Sequence, residues 1–414
     1  MEEVKCPECL SDDILHIKEL DVYVCRDCKH EFQTLKKSAE DEEVDVHQED
    51  EEAVESDRGP MFRPIELRWT EPGPMLQSIP AHTDDVFSVA IAPDGTRAVS
   101  ASMDESLKVW DLTSGEELRT LQGHGGPIQL VVITPDGTKA VSASYDASLK
   151  VWDLETGEEL QTLTGSSEWV KSLAITPDGT RVISSAKDNV LKVWDLATGE
   201  EIHSLEGHVR WIRSIAVTSD GTRAVSASDD WTLRVWDLTS GNELHTLRGH
   251  AGFIESVAVS ADGTRAVSAS RDNTLKVWDL VAGKEIRTLD GHAEEVRAVS
   301  IMSDGARAVS ASIDGTLKVW GMATANELST LRGHTEGVLS VIVSEDGSRA
   351  VSTSRDKTLK VWDLKIGECA ATFSSDEPTL TAAISPDGHT IFAGDGSGSV
   401  YIFRLESLAG TPIE

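Results

Sequence analysis

The chain has 414 residues and a formal net charge of −33, and no segment carries the surplus of Lys and Arg that binding to a phosphate backbone requires. Nucleic acid and anionic membrane surfaces are therefore disfavoured as partners. The N-terminal residues MEEVKCPECL lack the apolar region of a secretory signal, and no stretch approaches the about 18 apolar residues of a membrane span. We therefore expect a cytoplasmic protein with no membrane contact.

Residues 1–35 contain two CxxC pairs separated by fifteen residues, which are Cys6, Cys9, Cys25 and Cys28. Four thiolates at this spacing suit the tetrahedral coordination of zinc. Between the pairs, residues 14–17 and 22–24 are predicted to form a short hairpin. The arrangement resembles the zinc-ribbon family, which implies that the four cysteines hold a structural Zn²⁺ and that the metal stabilises this small module.

The role of the zinc ribbon is open to two interpretations. A site with four Cys ligands has no open position for a substrate, so catalysis at the metal is disfavoured. Some zinc ribbons bind nucleic acid, but this segment carries a net charge of −5. Docking to a protein is therefore the preferred interpretation, and contact with DNA or RNA is the alternative.

Residues 36–74 are predicted to be an acidic, disordered linker followed by a lead-in to the next domain. Residues 36–58 carry a net charge of −8 and few apolar side chains, so they repel one another and cannot bury a core. Residues 59–74 contain four prolines.

From residue 75 onward a unit of 42 residues recurs, and seven of its copies have a Trp preceded by an Asp six residues earlier. The Trp residues are Trp110, Trp152, Trp194, Trp236, Trp278, Trp320 and Trp362. Each unit gives four strand signals separated by turn residues, which is typical of a propeller blade. The first unit predicts strands at residues 87–92, 97–102, 107–111 and 117–121.

Eight copies of the first three strands occur, and the segment at residues 76–79 aligns with the fourth strand of the other units. An N-terminal strand that completes the last blade would remove the open edge of the ring. The sequence therefore predicts an all-β chain with an eight-bladed propeller at residues 75–405 and a C-terminal tail at 406–414. Seven blades is the alternative, because Phe403 replaces Trp and Ser397 replaces Asp in the last copy.

The repeated G-H and W-D residues resemble the WD-repeat β-propeller family over about 330 residues. The resemblance implies a hydrogen-bonded tetrad in each blade, which in the first unit comprises Asp104, His82, Trp110 and either Ser100 or Ser102. In the fifth unit it comprises Asp272, His250, Trp278 and either Ser268 or Ser270. Ser166 replaces the His of the third unit, so the third and eighth blades are expected to be the least rigid. The resemblance also implies that these polar residues are structural.

Comparison of the repeats separates positions needed by the fold from positions free to bind a partner. The residue that opens the first strand varies, and three successive units have an aromatic there. We predict a partner-binding patch on the top rim of blades three to five; the alternative is that the rings pack between blades. The predicted patch comprises Tyr145, Trp169, Lys171, Arg210, Trp211, Arg213, Trp231, Phe253 and Arg271.

These features predict a non-enzymatic scaffold for protein–protein interaction, with the zinc ribbon as a second docking module and a propeller that is monomeric. The trio of His, Ser and Asp recurs in six units, whereas an active site would occur once. The alternative is a nucleic-acid-linked regulatory factor that uses the zinc ribbon to contact DNA or RNA.

Overall fold

The structure is a computed structural model that describes residues 14–17, 22–25, 31–32, 75–165, 169–185, 188–375 and 377–405. The chain divides into two compact units, Met1–Glu66 and Leu67–Glu414. In the first unit, an antiparallel sheet has the order β1 (Ile14–Ile17), β2 (Val22–Cys25) and β3 (Glu31–Phe32). Among the described residues, no helix is long and apolar enough to cross a membrane.

The second unit contains eight four-stranded antiparallel sheets, which we number as blades 1 to 8 along the chain. Blade 1 comprises β5 (Val86–Ile91), β6 (Arg97–Ser102), β7 (Ser106–Asp111) and β8 (Glu117–Gln122). Blade 2 comprises β9 (Ile128–Ile133), β10 (Lys139–Ser144), β11 (Ser148–Asp153) and β12 (Glu159–Thr164). Blade 3 comprises β13 (Leu173–Ile175), β14 (Arg181–Ser185), β15 (Leu191–Asp195) and β16 (Glu201–Leu205). Blade 4 comprises β17 (Ile212–Val217), β18 (Arg223–Ser228), β19 (Thr232–Asp237) and β20 (Glu243–Arg248).

The remaining blades repeat the same order of strands. Blade 5 comprises β21 (Ile254–Val259), β22 (Arg265–Ser270), β23 (Leu275–Asp279) and β24 (Lys284–Leu289). Blade 6 comprises β25 (Val296–Ile301), β26 (Arg307–Ser312), β27 (Thr316–Gly321) and β28 (Glu327–Arg332). Blade 7 comprises β29 (Val338–Val343), β30 (Arg349–Ser354), β31 (Thr358–Asp363) and β32 (Glu368–Ser374). Blade 8 comprises β33 (Thr379–Ile384), β34 (Thr390–Asp395), β35 (Ser399–Arg404) and, from the start of the unit, β4 (Met75–Pro80).

The ring closes through β4, which pairs antiparallel with β35 and places Ile79 opposite Val400. The innermost strand of each blade contacts the innermost strand of the next, and β33 of blade 8 contacts β5 of blade 1. The predicted eight-bladed propeller is therefore confirmed, and the seven-bladed alternative is wrong. The segment at residues 76–79 supplies the strand that the last three strands of the chain lack.

Local sequence explains the strand lengths, because each strand ends where a side chain caps a turn. In blade 1 the first turn contains Asp94, whose carboxylate accepts a hydrogen bond from the Thr96 N–H at 2.9 Å. Gly95 follows with φ of +71°, a conformation that a residue with a Cβ adopts at a cost. The Asp-Gly pair therefore reverses the chain after six strand residues.

A chain of buried hydrogen bonds joins the strands within a blade. In blade 1 Trp110 Nε1 donates to Ser100 Oγ at 2.9 Å, Ser100 Oγ lies 2.8 Å from His82 Nε2, and His82 Nδ1 lies 3.0 Å from an oxygen of Asp104. A proton on Nδ1 lets the histidine donate to the carboxylate while Nε2 accepts from the serine. The tetrad serine is thus Ser100, and Ser102 instead donates to the Asp84 carbonyl at 2.9 Å.

The chain recurs in blades 2, 4, 5, 6 and 7 with histidine–serine distances of 2.7–2.8 Å. In blade 5 it comprises Trp278, Ser268, His250 and Asp272. Eight apolar clusters complete the core, one for each contact between successive blades. The cluster between blades 1 and 2, for example, packs Trp152 against Val99 and Leu107.

Blade 8 replaces the tetrad with a different buried network. Phe403 stands in place of the Trp and contacts Phe373 of blade 7, with ring centroids 4.0 Å apart. Asp395 is fully buried and accepts a hydrogen bond from Tyr401 Oη at 2.7 Å and another from the Ser397 N–H at 2.9 Å. The carboxylate that caps this turn is therefore two residues earlier than the repeat predicts.

The tetrads predict that acid destabilises the propeller in two steps. Burial lowers the pKa of His82, His124 and His334 below the ordinary value of 6.5. Because the unfolded chain then binds protons first, the free energy of unfolding falls as pH drops through 6.5. Burial of Asp356 opposes ionisation, but hydrogen bonds from Thr358, Thr335 and His334 outweigh it and lower its pKa from 3.8 to about 2, so a second loss follows below pH 3.8.

Thermal unfolding measured from pH 8 to pH 3 in 0.5 M NaCl checks this expectation, since salt screens the repulsion among surface carboxylates. We expect a constant Tm from pH 8 to pH 7, a fall below pH 6.5 and a further fall below pH 4. A Tm that rises between pH 6.5 and pH 5 in high salt would contradict the analysis.

Candidate functional site

Eight of the nine residues of the predicted patch lie in two sets of loops, and Arg213 is the second residue of β17. Trp169, Trp211 and Phe253 come just before the innermost strands of blades 3, 4 and 5, whereas Tyr145, Trp231 and Arg271 lie in the turns that follow the second strands. In an antiparallel sheet the start of one strand and the end of its neighbour share an edge. Both sets therefore lie on the same rim, which we call the top rim.

Three aromatic residues from blades 2, 3 and 4 are in contact, and we call them the aromatic shelf. The Tyr145 ring stacks on Trp169 with centroids 4.9 Å apart, and Trp169 lies 6.4 Å from Trp211 at a tilted angle. Offset or tilted arrangements at these distances are favourable. In the next blade the guanidinium of Arg271 lies 5.3 Å from the Phe253 ring. The structure therefore brings Tyr145, Trp169 and Trp211 together.

The rings contact one another across blades and also meet solvent. Trp169 is 37% exposed and Trp231 is 49% exposed, whereas Tyr145, Trp211 and Phe253 are half-buried. Large apolar side chains that are exposed singly are common on proteins, but a cluster of them on one rim marks an interaction site more often than a lone one does. The shelf thus combines packing between blades with an accessible face.

The backbone of Trp169 adopts a conformation that bulky residues avoid. Its φ is +61°, whereas Trp211 and Phe253, at the equivalent position, do not have positive φ. Left-handed conformation of a bulky residue costs about 1–3 kcal/mol, and such outliers cluster at functional sites. Trp231 also has a positive φ, of +69°, but the equivalent turn residues Glu105 and Asn273 share it. Strain that is specific to one copy of the repeat is thus found at Trp169.

Blade 3 also departs from the other blades in its innermost strand. Its innermost strand, β13, has three residues, whereas the equivalent strand of every other blade has six. Six other units have His where this unit has Ser166. Ser166 lies outside the described residues, as does Lys187. Among the described residues the buried Ser185 hydroxyl has no hydrogen-bond partner, and the equivalent positions in blades 1 and 2 hold Ala101 and Ala143.

A network of charges lies beside the shelf, and the sequence identified only part of it. Arg213 donates to Asp229 through Nε at 2.6 Å and Nη2 at 2.9 Å. Arg271 Nε donates to Glu255, which also lies 3.7 Å from Arg213 Nη1 and 3.5 Å from Arg297 Nη1. The hydrogen bonds that Arg213 donates to Asp229, together with the charges of Glu255 and Asp229, raise the pKa of Arg213. Two of the predicted cations are therefore neutralised within the protein.

Lys171 differs from its neighbours because no carboxylate of the described residues lies within ion-pair distance of its ammonium. Its Nζ lies 5.1 Å from the centroid of the Trp169 ring. Burial, and then the charge of Arg213, lower the pKa of Lys171. The side chain is half-buried, and its charge lies close to an aromatic ring and is repelled by Arg213.

A shallow pocket adjoins the shelf and is lined by Asn189, Val209, Arg210, Trp211 and Asp229. Val209 is 76% exposed, and Arg210 is also exposed. The sequence analysis missed Asn189, Val209 and Asp229. They lie at positions where the repeats differ. A comparison of all top-rim positions among the repeats, and not of the aromatic positions alone, would have identified them.

The four predicted zinc ligands belong to the other unit. Cys6, Cys9 and Cys28 lie outside the described residues. Cys25 ends β2 and pairs with Ile14, the first residue of β1. The segment that precedes β1 and the segment that follows β2 therefore start from the same end of the hairpin.

Comparisons with known proteins agree with the repeat. The model described as WD domain, G-beta repeat matches residues 241–279, 283–321 and 325–363, and the model described as NWD2 C-terminal beta-propeller matches residues 76–248. Among solved structures, the computationally designed Ika8 protein is 30% identical with a TM-score of 0.73, and the match covers 80% of this chain and 100% of that one. No curated protein matches this chain.

The charge network predicts opposite effects for two substitutions at equivalent positions in neighbouring blades. Arg213→Met leaves the buried Asp229 carboxylate without its bidentate partner, so we expect a loss of about 1–3 kcal/mol in the free energy of unfolding. Lys171→Met removes a desolvated charge beside Arg213, so we expect stability that is unchanged or higher. Urea unfolding of both variants and the wild type checks this. Equal destabilisation by the two substitutions would contradict the assignment.

Proposed function

This chain belongs to the WD-repeat β-propeller family, and from that premise we propose that it is a non-enzymatic, cytoplasmic scaffold whose top rim binds a protein partner. WD-repeat propellers are in general protein–protein interaction scaffolds. The finer assignment is supported by one observation: Tyr145, Trp169 and Trp211 form a contiguous, partly exposed shelf on a rim where the repeats otherwise diverge. We propose that the propeller acts as a monomer.

The composition of the patch supports binding of a protein. Aromatic residues and Arg contribute most of the binding energy at protein interfaces, and the patch has both. Trp211 also lines the shallow pocket with Val209 and Arg210, which offers a place for a side chain of the partner. The imposed conformation of Trp169 indicates that its ring is held in place before a partner arrives, which reduces the entropy lost on binding.

A triple variant, Trp169→Ala, Trp211→Ala and Phe253→Ala, tests the proposal. The matched control is a second triple variant, Leu160→Ala, Leu244→Ala and Leu328→Ala. These exposed apolar side chains lie on the outermost strands of blades 2, 4 and 6, away from the top rim. Proteins captured from native lysate by the wild type and both variants are quantified by mass spectrometry. We expect the shelf variant to lose its specific partners at least tenfold and the control to retain them.

Thermal unfolding of both variants accompanies the capture. If the shelf variant folds and captures the same proteins in the same amounts, the top rim is not the binding surface. If the shelf variant unfolds at a much lower temperature than the control, the rings are needed mainly for packing, which also contradicts the proposal.

We further propose that residues 1–35 form a zinc ribbon that serves as a second docking module, joined to the propeller by residues 36–74, with 406–414 as a tail. The β1–β2 register supports this, because both CxxC pairs flank the same end of the hairpin along the chain. Four thiols are a donor set that suits zinc. Two linked modules raise the effective concentration of the second contact once the first has formed.

Metal analysis of the purified full-length chain tests the zinc site. We expect one Zn²⁺ per chain, lost when Cys6→Ser and Cys9→Ser are combined, because two ligands do not complete a tetrahedral site. Cys369→Ser is the control, since Cys369 is a free, exposed cysteine of the propeller. Zinc that persists in the double variant, or that is lost with Cys369, would contradict the assignment.

A further inference from the structure

We propose that the top rim patch binds a partner segment that carries a carboxylate side chain next to an apolar one, and that Lys171 Nζ forms the ion pair with this carboxylate. The inference rests on the proposed scaffold function and specifies the chemistry of the partner.

The environment of Lys171 is incomplete in the free protein. Its side chain is half-buried, its ammonium lies 5.1 Å from the centroid of the Trp169 ring, and the positive charge of Arg213 repels it. Taking a charge out of water is costly unless an opposite charge compensates it. Lys171 meets no such charge among the described residues, so an anion supplied from outside would remove the penalty.

The equivalent positions in the other innermost strands show that this is specific to blade 3. Five of them hold uncharged or acidic residues, which are Phe87, Gln129, Glu255, Leu339 and Leu380. The two that hold cations pair them internally: Arg213 with Asp229, and Arg297 with Glu295 at 2.9 Å. Among these described positions, Lys171 is therefore the half-buried cation that has no carboxylate partner, and it lies next to the aromatic shelf.

The aromatic shelf by itself would favour a cationic ligand, because the face of a Trp or Tyr ring attracts positive charge. The ammonium of Lys171 already lies over the Trp169 ring. An incoming Lys or Arg side chain would therefore meet the like charge of Lys171. The geometry thus selects an anion, with the rings left to contact apolar atoms on either side of it.

A carboxylate fits this site better than a phosphate group. Phosphate recognition relies on several Arg side chains that donate in parallel. The guanidinium groups of Arg213 and Arg271 are held by Asp229 and Glu255, and Arg210 is exposed and lines the pocket that also contains Asp229. One half-buried ammonium matches one negative charge, so the expected ligand residue is Asp or Glu.

The test begins with selection of random twelve-residue peptides displayed on phage against the full-length wild-type chain. Each enriched acidic peptide is synthesised with its acid intact, with the corresponding amide, and with phosphoserine at that position. Binding to the wild type, Lys171→Met and Lys171→Arg is measured by fluorescence anisotropy, and thermal unfolding confirms that both variants fold. Lys171→Met keeps the length of the side chain, and Lys171→Arg keeps its charge.

We expect the acidic peptide to bind the wild type about tenfold more tightly than its amide form, which is the range for a hydrogen bond to a charged group. The preference should disappear in Lys171→Met and return in Lys171→Arg. Equal binding of acid and amide by the wild type, or a preference that survives in Lys171→Met, would overturn the inference while leaving the scaffold function intact. Tighter binding of the phosphoserine form would show that the site prefers a phosphate group, and the proposed carboxylate ligand would be wrong.

The triple shelf variant separates this inference from the proposed function. If the enriched peptides bind the variant with Trp169→Ala, Trp211→Ala and Phe253→Ala as tightly as the wild type, the top rim is not the docking surface and both proposals are wrong. If the selection yields no binding peptide, both proposals are likewise wrong. Peptides that need the shelf but have no fixed acid would overturn the role of Lys171 alone.

Discussion

The hydrogen-bond chain from Trp through Ser and His to Asp is the interaction on which the propeller depends. Each Trp packs against the preceding blade, so its indole N–H is buried between two sheets and needs an acceptor there. The serine of the second strand accepts that bond, and the histidine and aspartate fix the serine and close the loops on the top rim. Blade 8 is consistent with this role. Phe403 and Ala393 stand at its Trp and Ser positions, so this position has no indole N–H that needs an acceptor.

Blade 3 shows what happens where one member of the chain is missing. Trp194 keeps its serine, with 3.0 Å between Nε1 and Ser184 Oγ, but its unit has Ser166 in place of His. Its innermost strand, β13, is half the length of the equivalent strands in the other blades. The same blade contains Trp169 and Lys171. The replacement of His in the sequence therefore coincides with the blade where the backbone is strained and where a half-buried cation meets no carboxylate of the described residues, which is the pattern expected when local stability is exchanged for a binding surface.

The sequence predicts the fold well because a fixed period specifies strands, turns and closure together. The period placed the strands of blade 1 within one residue of their observed bounds, and it identified residues 76–79 as the strand that completes blade 8. It could not predict that Arg213 binds Asp229 or that Arg271 binds Glu255, because these pairs depend on how a long side chain crosses the rim and not on spacing along the chain. The aromatic positions and Lys171 were predicted from comparison of the repeats, whereas which of the predicted cations have a carboxylate partner could not be.

The charge of the whole protein and the charge of the top rim act on a partner over different distances. Residues 59–414 carry a net charge of −20, which repels an acidic segment at long range. At physiological ionic strength this field decays over about 8 Å, so it affects the rate of encounter more than the contact itself. Once the segment reaches the rim, the half-buried Lys171 and the aromatic shelf determine the energy, since water is excluded there and screening is weak. An acidic partner would thus bind slowly but be held by short-range contacts, and acidic chains that cannot cover the shelf with apolar atoms would be rejected.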